Sequence, residues 1–178
     1  MEKLIFIDNN SYLRLWKRSD VSEYVGLINN GDAIGNLRPG TPILEDEFVD
    51  FIDNRTKEKW KHDFAIVQDE HIVGGTSYYE KGHGVIELGG YWISSQVRGC
   101  GLGKKISTFF INYIFDLYPG CKIYLQTLST NRCLIKIVEG LGFICREDLE
   151  ESTKNSYGCP IVLLYFEKMK YWNQVAGL

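Results

Sequence analysis

The sequence predicts a mixed α/β fold in which helices pack on a sheet. Its apolar periods follow the order strand, two helices, three strands, helix, strand, helix and two strands, which combines an antiparallel meander with strand–helix–strand crossovers. A turn dense in glycine separates the last meander strand from a strongly amphipathic helix. With 178 residues, 44% of them hydrophobic and 24% charged, the chain is expected to form one globular domain over residues 1–178.

Turn signals and periodicity predict the elements of the N-terminal half. Apolar residues on both sides of Asp8-Asn9-Asn10 predict a strand or a bent hairpin. Two helices follow, the second with acids in its first turn, and the glycine- and proline-rich residues 34–42 between them predict a loop. From His62 the apolar period becomes two, and Asp69-Glu70 is a tight-turn signal, which predicts a three-strand meander. The elements are strands at 4–7, 12–16, 64–67, 72–79 and 85–94 and helices at 19–28 and 45–57.

The C-terminal half alternates helix and strand before it ends in two strands. Apolar residues recur at three- and four-residue steps from Leu102 to Leu117 and again after Asn131, as on one face of a helix. The polar stretch 147–158 predicts a mobile connection, and the tail 168–178 allows a helical or dimer-contact role. The elements are helices at 103–117 and 131–139 and strands at 122–128, 143–146 and 161–166.

Composition argues against several classes of function. The net charge of −3 disfavours a nucleic-acid binder that neutralises phosphates. No apolar run reaches the length of a membrane span or a signal-peptide core, so a membrane partner is not expected. Five cysteines without a C-x-x-C pair indicate reduced thiols, which predicts a cytoplasmic protein. Three scattered histidines lack metal-ligand spacing, and no metal is expected.

The glycine-rich turn has the features of an anion site. Gly99, Gly101 and Gly103 leave the backbone bare where a helix begins, so its unpaired N–H groups can approach a ligand. Arg98 and Lys104 stand at this same end, where the helix dipole disfavours cations. Basic side chains and open N–H groups together indicate a bound anion, most naturally a phosphate.

Two common phosphate loops do not fit this turn. A Walker A loop requires a glycine where Arg98 stands and a serine or threonine where Lys105 stands. A dinucleotide fingerprint requires G-x-G-x-x-G spacing and a later acidic residue, and both are lacking. The pattern R-x-x-G-x-G from Arg98 to Gly103 does fit, and it resembles the acyl-coenzyme-A pyrophosphate loop of the GNAT family of N-acetyltransferases. A glycine-rich connection with solvated lysines remains the alternative reading of the turn alone.

A second block strengthens the resemblance. N-R-C-L-I-K-I-V-E-G-L-G-F, residues 131–143, resembles the GNAT segment in which an asparagine opens a helix that ends in L-G-F. L-R-L-W at 13–16 and E-L-G-G-Y-W at 87–92 resemble the branch that contains the ribosomal-protein alanine N-acetyltransferases. The resemblance implies a GNAT-like, mostly antiparallel mixed sheet of six to seven strands with about four helices. Its fourth and fifth strands, 85–94 and 122–128 here, would splay apart at Gly89-Gly90.

The resemblance also implies a cosubstrate and its contacts. Acetyl-coenzyme A (acetyl-CoA) would donate an acetyl group directly to a primary amine, either a protein N-terminus or a small amine. The turn would bind the pyrophosphate, the end of the preceding strand would hold the pantetheine arm and polarise the thioester, and an asparagine would contact the other side. The residues so assigned are Tyr91, Trp92, Ile93, Val97, Arg98, Gly99, Cys100, Gly101, Leu102, Gly103, Lys104 and Asn131.

Acetyl transfer to an alkylamine requires removal of a proton, since such amines are mostly protonated at neutral pH. Glu87 is the predicted base, because it lies in the strand beside the expected cleft and its apolar neighbours in sequence would raise a carboxyl pKa. The extra glycine in G-G-Y-W leaves open whether Glu87 faces the cleft or solvent. Glu80 and Asp32 are the other candidates.

The proton donor to the leaving thiolate is not evident. GNAT relatives carry a tyrosine where Val138 stands, and the alanine N-acetyltransferases a serine where Leu134 stands. Cys133 and Tyr124 are the nearby alternatives, although both residue types also serve as packing residues. Because a thiol has a pKa of about 8.5, its thiolate can leave unaided, so the missing acid would slow turnover without preventing it.

Several functions and features stay open at this point. The amine is undetermined; Trp16, Tyr78, Tyr79 and Trp92 could line its pocket, and the loops 34–42 (with Arg38) and 149–158 could select it. The missing acid residues leave open a CoA-binding sensor or scaffold with weak or no catalysis. A domain that binds another nucleotide is the third reading, and the chain could be a monomer or a homodimer.

Overall fold

A computed structural model describes residues 4–30, 42–55, 57–154 and 160–170. The chain forms two compact units, each built from two separate segments. The first unit contains Met1–Tyr79 and Gly90–Leu102, and the second contains Glu80–Gly89 and Gly103–Leu178.

The described residues form four α-helices and nine strands, which confirms the mixed α/β class. The parallel β5–β6 pair stands among antiparallel pairs, so the sheet is mostly antiparallel as predicted. The strands are β1 (Ile5–Phe6), β2 (Ser11–Leu15), β3 (Lys61–Gln68), β4 (His71–Glu80), β5 (Val85–Ile93), β6 (Lys122–Leu128), β7 (Ile144–Cys145), β8 (Glu151–Lys154) and β9 (Pro160–Met169). The helices are α1 (Val21–Asn29), α2 (Glu45–Arg55), α3 (Leu102–Leu117) and α4 (Arg132–Gly140). None of these helices is long and apolar enough to cross a membrane.

In the first unit, β1, β2, β3 and β4 pair in sequence order as an antiparallel meander. Asp69 (φ 50°) and Glu70 (φ 67°) form the predicted tight turn between β3 and β4 in the left-handed conformation that two-residue hairpins favour. Leu13 and Ile66 are fully buried on these strands. Helices α1 and α2 pack on each other through Val21, Phe48 and Ile52.

In the second unit, β6 lies between β5, which runs parallel to it, and β9, which runs antiparallel. A parallel neighbour needs a crossover connection, and α3 supplies it. Ile106 and Ile114 of α3 and Ile123 of β6 are fully buried, so they form part of the core of this unit. β9 also pairs with β7 and β8.

The largest departure from the predicted elements is β8. Residues 147–158 are predicted to be mobile, but Glu151–Lys154 pair with β9. The side chains of β8 are mostly exposed, so the segment carries no apolar alternation that would predict a strand. Short strands such as β8 explain why the described residues hold nine strands rather than six or seven. The loop 34–41 with Arg38, the candidate base Asp32 and the tail from residue 171 lie outside the described residues.

Candidate active site

In the turn before α3, two glycines have left-handed backbone conformations and open surroundings. Gly99 has φ 82° and Gly101 has φ 83°, and a Cβ added at either position would meet no atom within 4 Å. α3 begins at Leu102, whose side chain is 5% exposed and anchors the start of the helix. The first N–H groups of a helix have no intrahelical acceptor, so this end of α3 presents backbone donors beside an open turn.

Hydrogen bonds within the segment 93–100 fix the approach to the turn. The Nε of Arg98 donates to the carbonyl oxygen of Ile93 at 2.8 Å, which holds the guanidinium at the end of β5. The Sγ of Cys100 donates to the carbonyl oxygen of Val97 at 2.9 Å. Ser94, 2% exposed, caps a short 3-10 turn by accepting from the N–H of Gln96. The side chain of Lys104, in the first turn of α3, is exposed.

β5 is irregular at the predicted glycine pair. Gly90 has φ 58°, and a left-handed residue inside a strand is typical of a bulge. The parallel ladder between β5 and β6 ends where Leu88 lies opposite Leu125. β5 itself continues to Ile93, so its last residues extend beyond that ladder.

The end of β5 lies unusually close to β4. A Cβ added at Gly74 would lie 2.4 Å from the carbonyl oxygen of Trp92, and one added at Gly75 would lie 2.5 Å from the indole Nε1 of Trp92. Such distances are too short for real carbon atoms, so only glycine allows β4 to lie this close to Trp92. Trp92, in the segment Tyr91–Ile93 that the resemblance assigns to the thioester, therefore packs closely against β4.

Glu87 and Tyr124 are brought together by strand register. They lie opposite each other in the β5–β6 pair, and the Tyr124 hydroxyl donates to Glu87 Oε2 at 3.0 Å. The same carboxylate oxygen lies 2.6 Å from the Nζ of Lys81, and the Glu87 side chain is 20% exposed. The predicted apolar setting of Glu87 is therefore wrong, because its carboxylate contacts the polar groups of Tyr124 and Lys81 and not the apolar residues beside it in the sequence. Ile86, on the opposite face of β5, is buried instead.

Lys81 was not predicted to belong to the site. Its backbone N–H donates to the carbonyl of Val85 in the turn between β4 and β5, which brings its side chain to Glu87. The position of this lysine in a hairpin turn, six residues before Glu87, is the only sequence signal for the ion pair.

The Tyr124 hydroxyl donates to the Glu87 carboxylate and is a weak acid. Burial, together with the hydrogen bond to the Glu87 carboxylate, raises the pKa of Tyr124 to about 12. The phenol therefore keeps its proton at neutral pH and can orient Glu87. It is a poor proton donor to a thiolate whose parent thiol has a pKa of about 8.5.

Glu80, the other candidate base among the described residues, also accepts a hydrogen bond from a tyrosine. The hydroxyl of Tyr118 donates to its Oε1 at 2.7 Å. Glu80 thus resembles Glu87 in having a tyrosine partner, and the pair provides a matched comparison for mutagenesis.

Asn131 serves as the cap of α4. Its Oδ1 accepts from the N–H of Leu134 at 3.3 Å, and its Nδ2 donates to the Oγ1 of Thr127 at 3.2 Å. Cys133, in the first turn of α4, is exposed, and no hydrogen bond or ion pair of the described residues joins it to Glu87 or Tyr124. Val138 is 1% exposed and belongs to the core.

The aromatic residues predicted for the acceptor pocket are mostly packed together in the first unit. Trp16 meets the ring of Phe48 edge-on at 5.2 Å, and Tyr24 meets the ring of Trp92 at 6.0 Å. Tyr78 is 3% exposed and stacks on His62 at 4.2 Å. Among the described residues, no three His, Cys, Asp or Glu side chains are grouped so that they could hold a metal ion.

Comparison with known proteins finds a protein family that matches most of the chain. The family model described as the acetyltransferase (GNAT) family matches residues 14–143. The sequence has no significant match among curated proteins.

Solved structures of similar fold include three acetyltransferases, all of low sequence identity. RimL, a ribosomal L7/L12 alpha-N-protein acetyltransferase in complex with coenzyme A, superposes with a TM-score of 0.77 at 12% identity over 94% of this chain and 98% of that one. MccE, a microcin C7 self-immunity acetyltransferase in complex with acetyl-CoA and AMP, gives 0.78 at 16% identity over 92% and 94%. A ribosomal-protein-alanine N-acetyltransferase from Brucella melitensis gives 0.69 at 18% identity over 88% and 98%.

Proposed function

Because the chain belongs to the acetyltransferase (GNAT) family, we propose that it transfers an acetyl group from acetyl-CoA directly to a primary amine. The observation that carries the proposal is the open turn at Gly99 and Gly101, whose left-handed glycines stand where the backbone donors of α3 begin. These donors and the cations of Arg98 and Lys104 suit the pyrophosphate of a coenzyme. The coenzyme A and acetyl-CoA bound by the structural neighbours RimL and MccE support the same choice of cosubstrate.

The carbonyl of the thioester would lie against the end of β5. Close packing on Gly74 and Gly75 fixes the backbone of Trp92, so a backbone N–H of Tyr91–Ile93 can be aimed at a developing oxyanion with little reorganisation. Fixed donors of this kind stabilise the transition state more than the ground state, and they therefore contribute to kcat.

Glu87 is the proposed proton acceptor. Its carboxylate, oriented by the Tyr124 hydroxyl and the Lys81 ammonium, takes the proton that the amine must lose, directly or through a water molecule. The amine nitrogen bonds to the carbonyl carbon, the carbon–sulfur bond breaks, and its electron pair leaves on the coenzyme sulfur. Tyr124 orients the base in this scheme, since its pKa of about 12 makes it a poor acid toward a thiolate.

The acceptor is proposed only as a class. A protein N-terminus is favoured by the activities of RimL and the Brucella enzyme, which act on ribosomal proteins, and a small amine is the other candidate. At 12–18% identity these neighbours share the fold with this chain, so the choice between the two amines needs an experiment.

The alternative is a coenzyme-A-binding sensor or scaffold with weak or no catalysis. The observation that favours it is the lack of a hydroxyl at Leu134 and at Val138, the latter sealed in the core. Among the described residues, Cys133 has no hydrogen bond or ion pair with Glu87 or Tyr124 that would make it a substitute acid.

One experiment separates the two proposals. Thiol release from acetyl-CoA is measured across a panel of amines, including an N-terminal peptide, a polyamine and an aminoglycoside, with wild type and Glu87→Gln. Turnover that Glu87→Gln abolishes supports the transferase. Coenzyme binding without turnover on any acceptor supports the sensor. Calorimetry with coenzyme A, ATP and NAD provides the control, and a preference for either nucleotide would contradict both proposals.

We further propose that residues 1–178 act as one catalytic domain in the cytoplasm, as a monomer or a homodimer. The family match over residues 14–143 spans segments of both compact units and supports the single domain. The four cysteines of the described chain are free thiols, as suits a reducing compartment.

A further inference from the structure

The first unit contains a buried carboxylate that the proposed chemistry does not use. Asp63 of β3 is 7% exposed, and its Oδ1 accepts a hydrogen bond of 2.5 Å from the Oγ of Ser77 in β4. Its Oδ2 lies 3.3 Å from the Nη1 of Arg55, but neither of these two atoms has a hydrogen-bond partner. Arg55 pairs with the charge, but buried polar atoms without a hydrogen bond are unfavourable, so their presence calls for a physical reason.

The partner of Asp63 packs against Gly90 of β5, whose left-handed conformation is typical of a bulge. A Cβ added at Gly90 would lie 2.5 Å from the Oγ and 3.3 Å from the Cβ of Ser77. The Ser77 hydroxyl thus fills the space that any side chain at position 90 would need. Asp63 accepts the hydroxyl proton and so fixes the rotamer of Ser77 against Gly90.

The bulge leads directly into the segment proposed to hold the thioester. Two residues after Gly90, the backbone carbonyl and the indole of Trp92 approach Gly74 and Gly75 of β4 too closely for a side chain there. Contacts with Ser77, Gly75 and Gly74 therefore fix β5 on β4 from the bulge to Trp92.

We infer that Asp63 is a positioning residue for acetyl transfer: through the Ser77 hydroxyl it fixes the Gly90 bulge, and thereby the N–H groups of Tyr91–Ile93. The inference rests on the proposed function, because it assigns a catalytic purpose to the placement of that segment. In the turn at 97–103, proposed to bind the coenzyme, the hydrogen bond from Cys100 to Val97 is internal, whereas that from Arg98 ends on the carbonyl oxygen of Ile93. A shift of the Tyr91–Ile93 N–H groups should therefore act mainly at the thioester and less on the turn. A positioning role therefore predicts an effect on kcat that is separate from coenzyme affinity.

Three variants test the role. Ser77→Ala removes the donor, Asp63→Leu removes the acceptor, and Asp63→Asn keeps an oxygen that can accept from Ser77. Ser77→Ala and Asp63→Leu should lower kcat by about tenfold to a hundredfold, the size expected when a catalytic group is displaced. The Kd for coenzyme A should change less than kcat does, by under the tenfold that corresponds to 1.4 kcal/mol. Asp63→Asn should recover most of the kcat that Asp63→Leu loses.

Ser11→Ala is the matched control. Ser11 is a fully buried serine of the same unit whose Oγ has no hydrogen-bond partner, and it lies on β2, away from the bulge. This variant should leave both kcat and coenzyme affinity unchanged. Equal losses of kcat in Ser77→Ala and Ser11→Ala would overturn the inference, because any buried serine would then have the same effect.

A second readout does not depend on activity. The backbone amide shifts of Gly90 and Trp92 in 1H–15N spectra should move in Ser77→Ala and stay near wild type in Ser11→Ala. If they do not move, or if Ser77→Ala weakens kcat and coenzyme binding equally, the inference is wrong while the proposed function stands. A loss in Asp63→Asn as large as in Asp63→Leu would likewise overturn it. Wild type without turnover on any amine would instead overturn the proposed function, whatever the spectra show.

Discussion

The sharpest prediction compares two left-handed glycines, of which only one lies in the turn proposed to bind the coenzyme. Gly101 (φ 83°) lies in the turn before α3, and Gly120 (φ 80°) lies in the turn before β6. A Cβ added at either position meets nothing within 4 Å, so neither alanine variant clashes with the free protein. Both variants should fold, and both carry the same backbone strain.

The strain can be estimated from the backbone conformation. A left-handed residue with a Cβ costs about 1–2 kcal/mol. For a chain of this length each kcal/mol lowers Tm by about 2–4 °C, so Gly101→Ala and Gly120→Ala should each lose roughly 2–8 °C. Only Gly101→Ala places a methyl group where a pyrophosphate would approach the amides. Its Kd for coenzyme A should rise by at least about tenfold, or 1.4 kcal/mol.

Thermal denaturation and calorimetry with coenzyme A measure the two quantities. A Kd within about twofold of wild type in Gly101→Ala would refute the assignment of the turn to the pyrophosphate, since twofold lies well below the tenfold of 1.4 kcal/mol. An equal rise of Kd in Gly120→Ala would show that the effect is global destabilisation. A variant that fails to fold would contradict the open surroundings of Gly101.

Three further predictions concern the second unit. Glu87→Gln should lower kcat in the thiol-release assay by a factor of about 10²–10⁴ and leave coenzyme affinity unchanged. Glu80→Gln should leave kcat unchanged. The reverse pattern would identify Glu80 as the base. Folding raises the pKa of Tyr124 from its ordinary value of 10.0 to about 12. The protonated hydroxyl therefore contributes to folding stability below pH 10, and this contribution is lost as the pH rises toward 12. Urea denaturation at pH 9 and 11 should therefore show a smaller alkaline loss for Tyr124→Phe than for wild type. The difference should be about 1 kcal/mol or less, because solvent screens a partly exposed group, and equal losses would contradict the shift. Asn131→Ala should lose about 1 kcal/mol of unfolding free energy and Asn131→Ser should keep it, because serine also caps; equal losses would exclude the cap.

The sequence predicts those elements well that carry a strong local signal. The amphipathic stripe of residues 103–117 and the strand at 122–128 lie where expected, because α3 and β6 bury one face each. β8 was missed because an edge strand with exposed polar side chains has the same composition as a loop. Its backbone pairing with β9 depends on a partner that local periodicity does not reveal.

The site is less predictable than the fold, because its contacts depend on strand register. Glu87 could be placed in β5 by its flanking sequence, but its Tyr124 and Lys81 partners follow from the pairing with β6 and from the turn after β4. The Asp63–Ser77 pair is likewise invisible in sequence, since the two residues stand fourteen positions apart and meet only across the β3–β4 hairpin. The local sequence pattern indicates which residue types belong to the site, and the strand register determines which of their side chains are in contact.

The pairing of β9 has a consequence for how the polypeptide matures on the ribosome. This strand supplies the backbone partner of β6, β7 and β8, yet it is the last described strand to be synthesised. Both segments of the first unit have been synthesised once residue 102 has emerged. By contrast, about forty more residues must be synthesised after β6 before β9 can pair with it. Until then its open edge is exposed to wrong partners, so a stalled or truncated nascent chain that lacks residues 160–169 should be prone to aggregation.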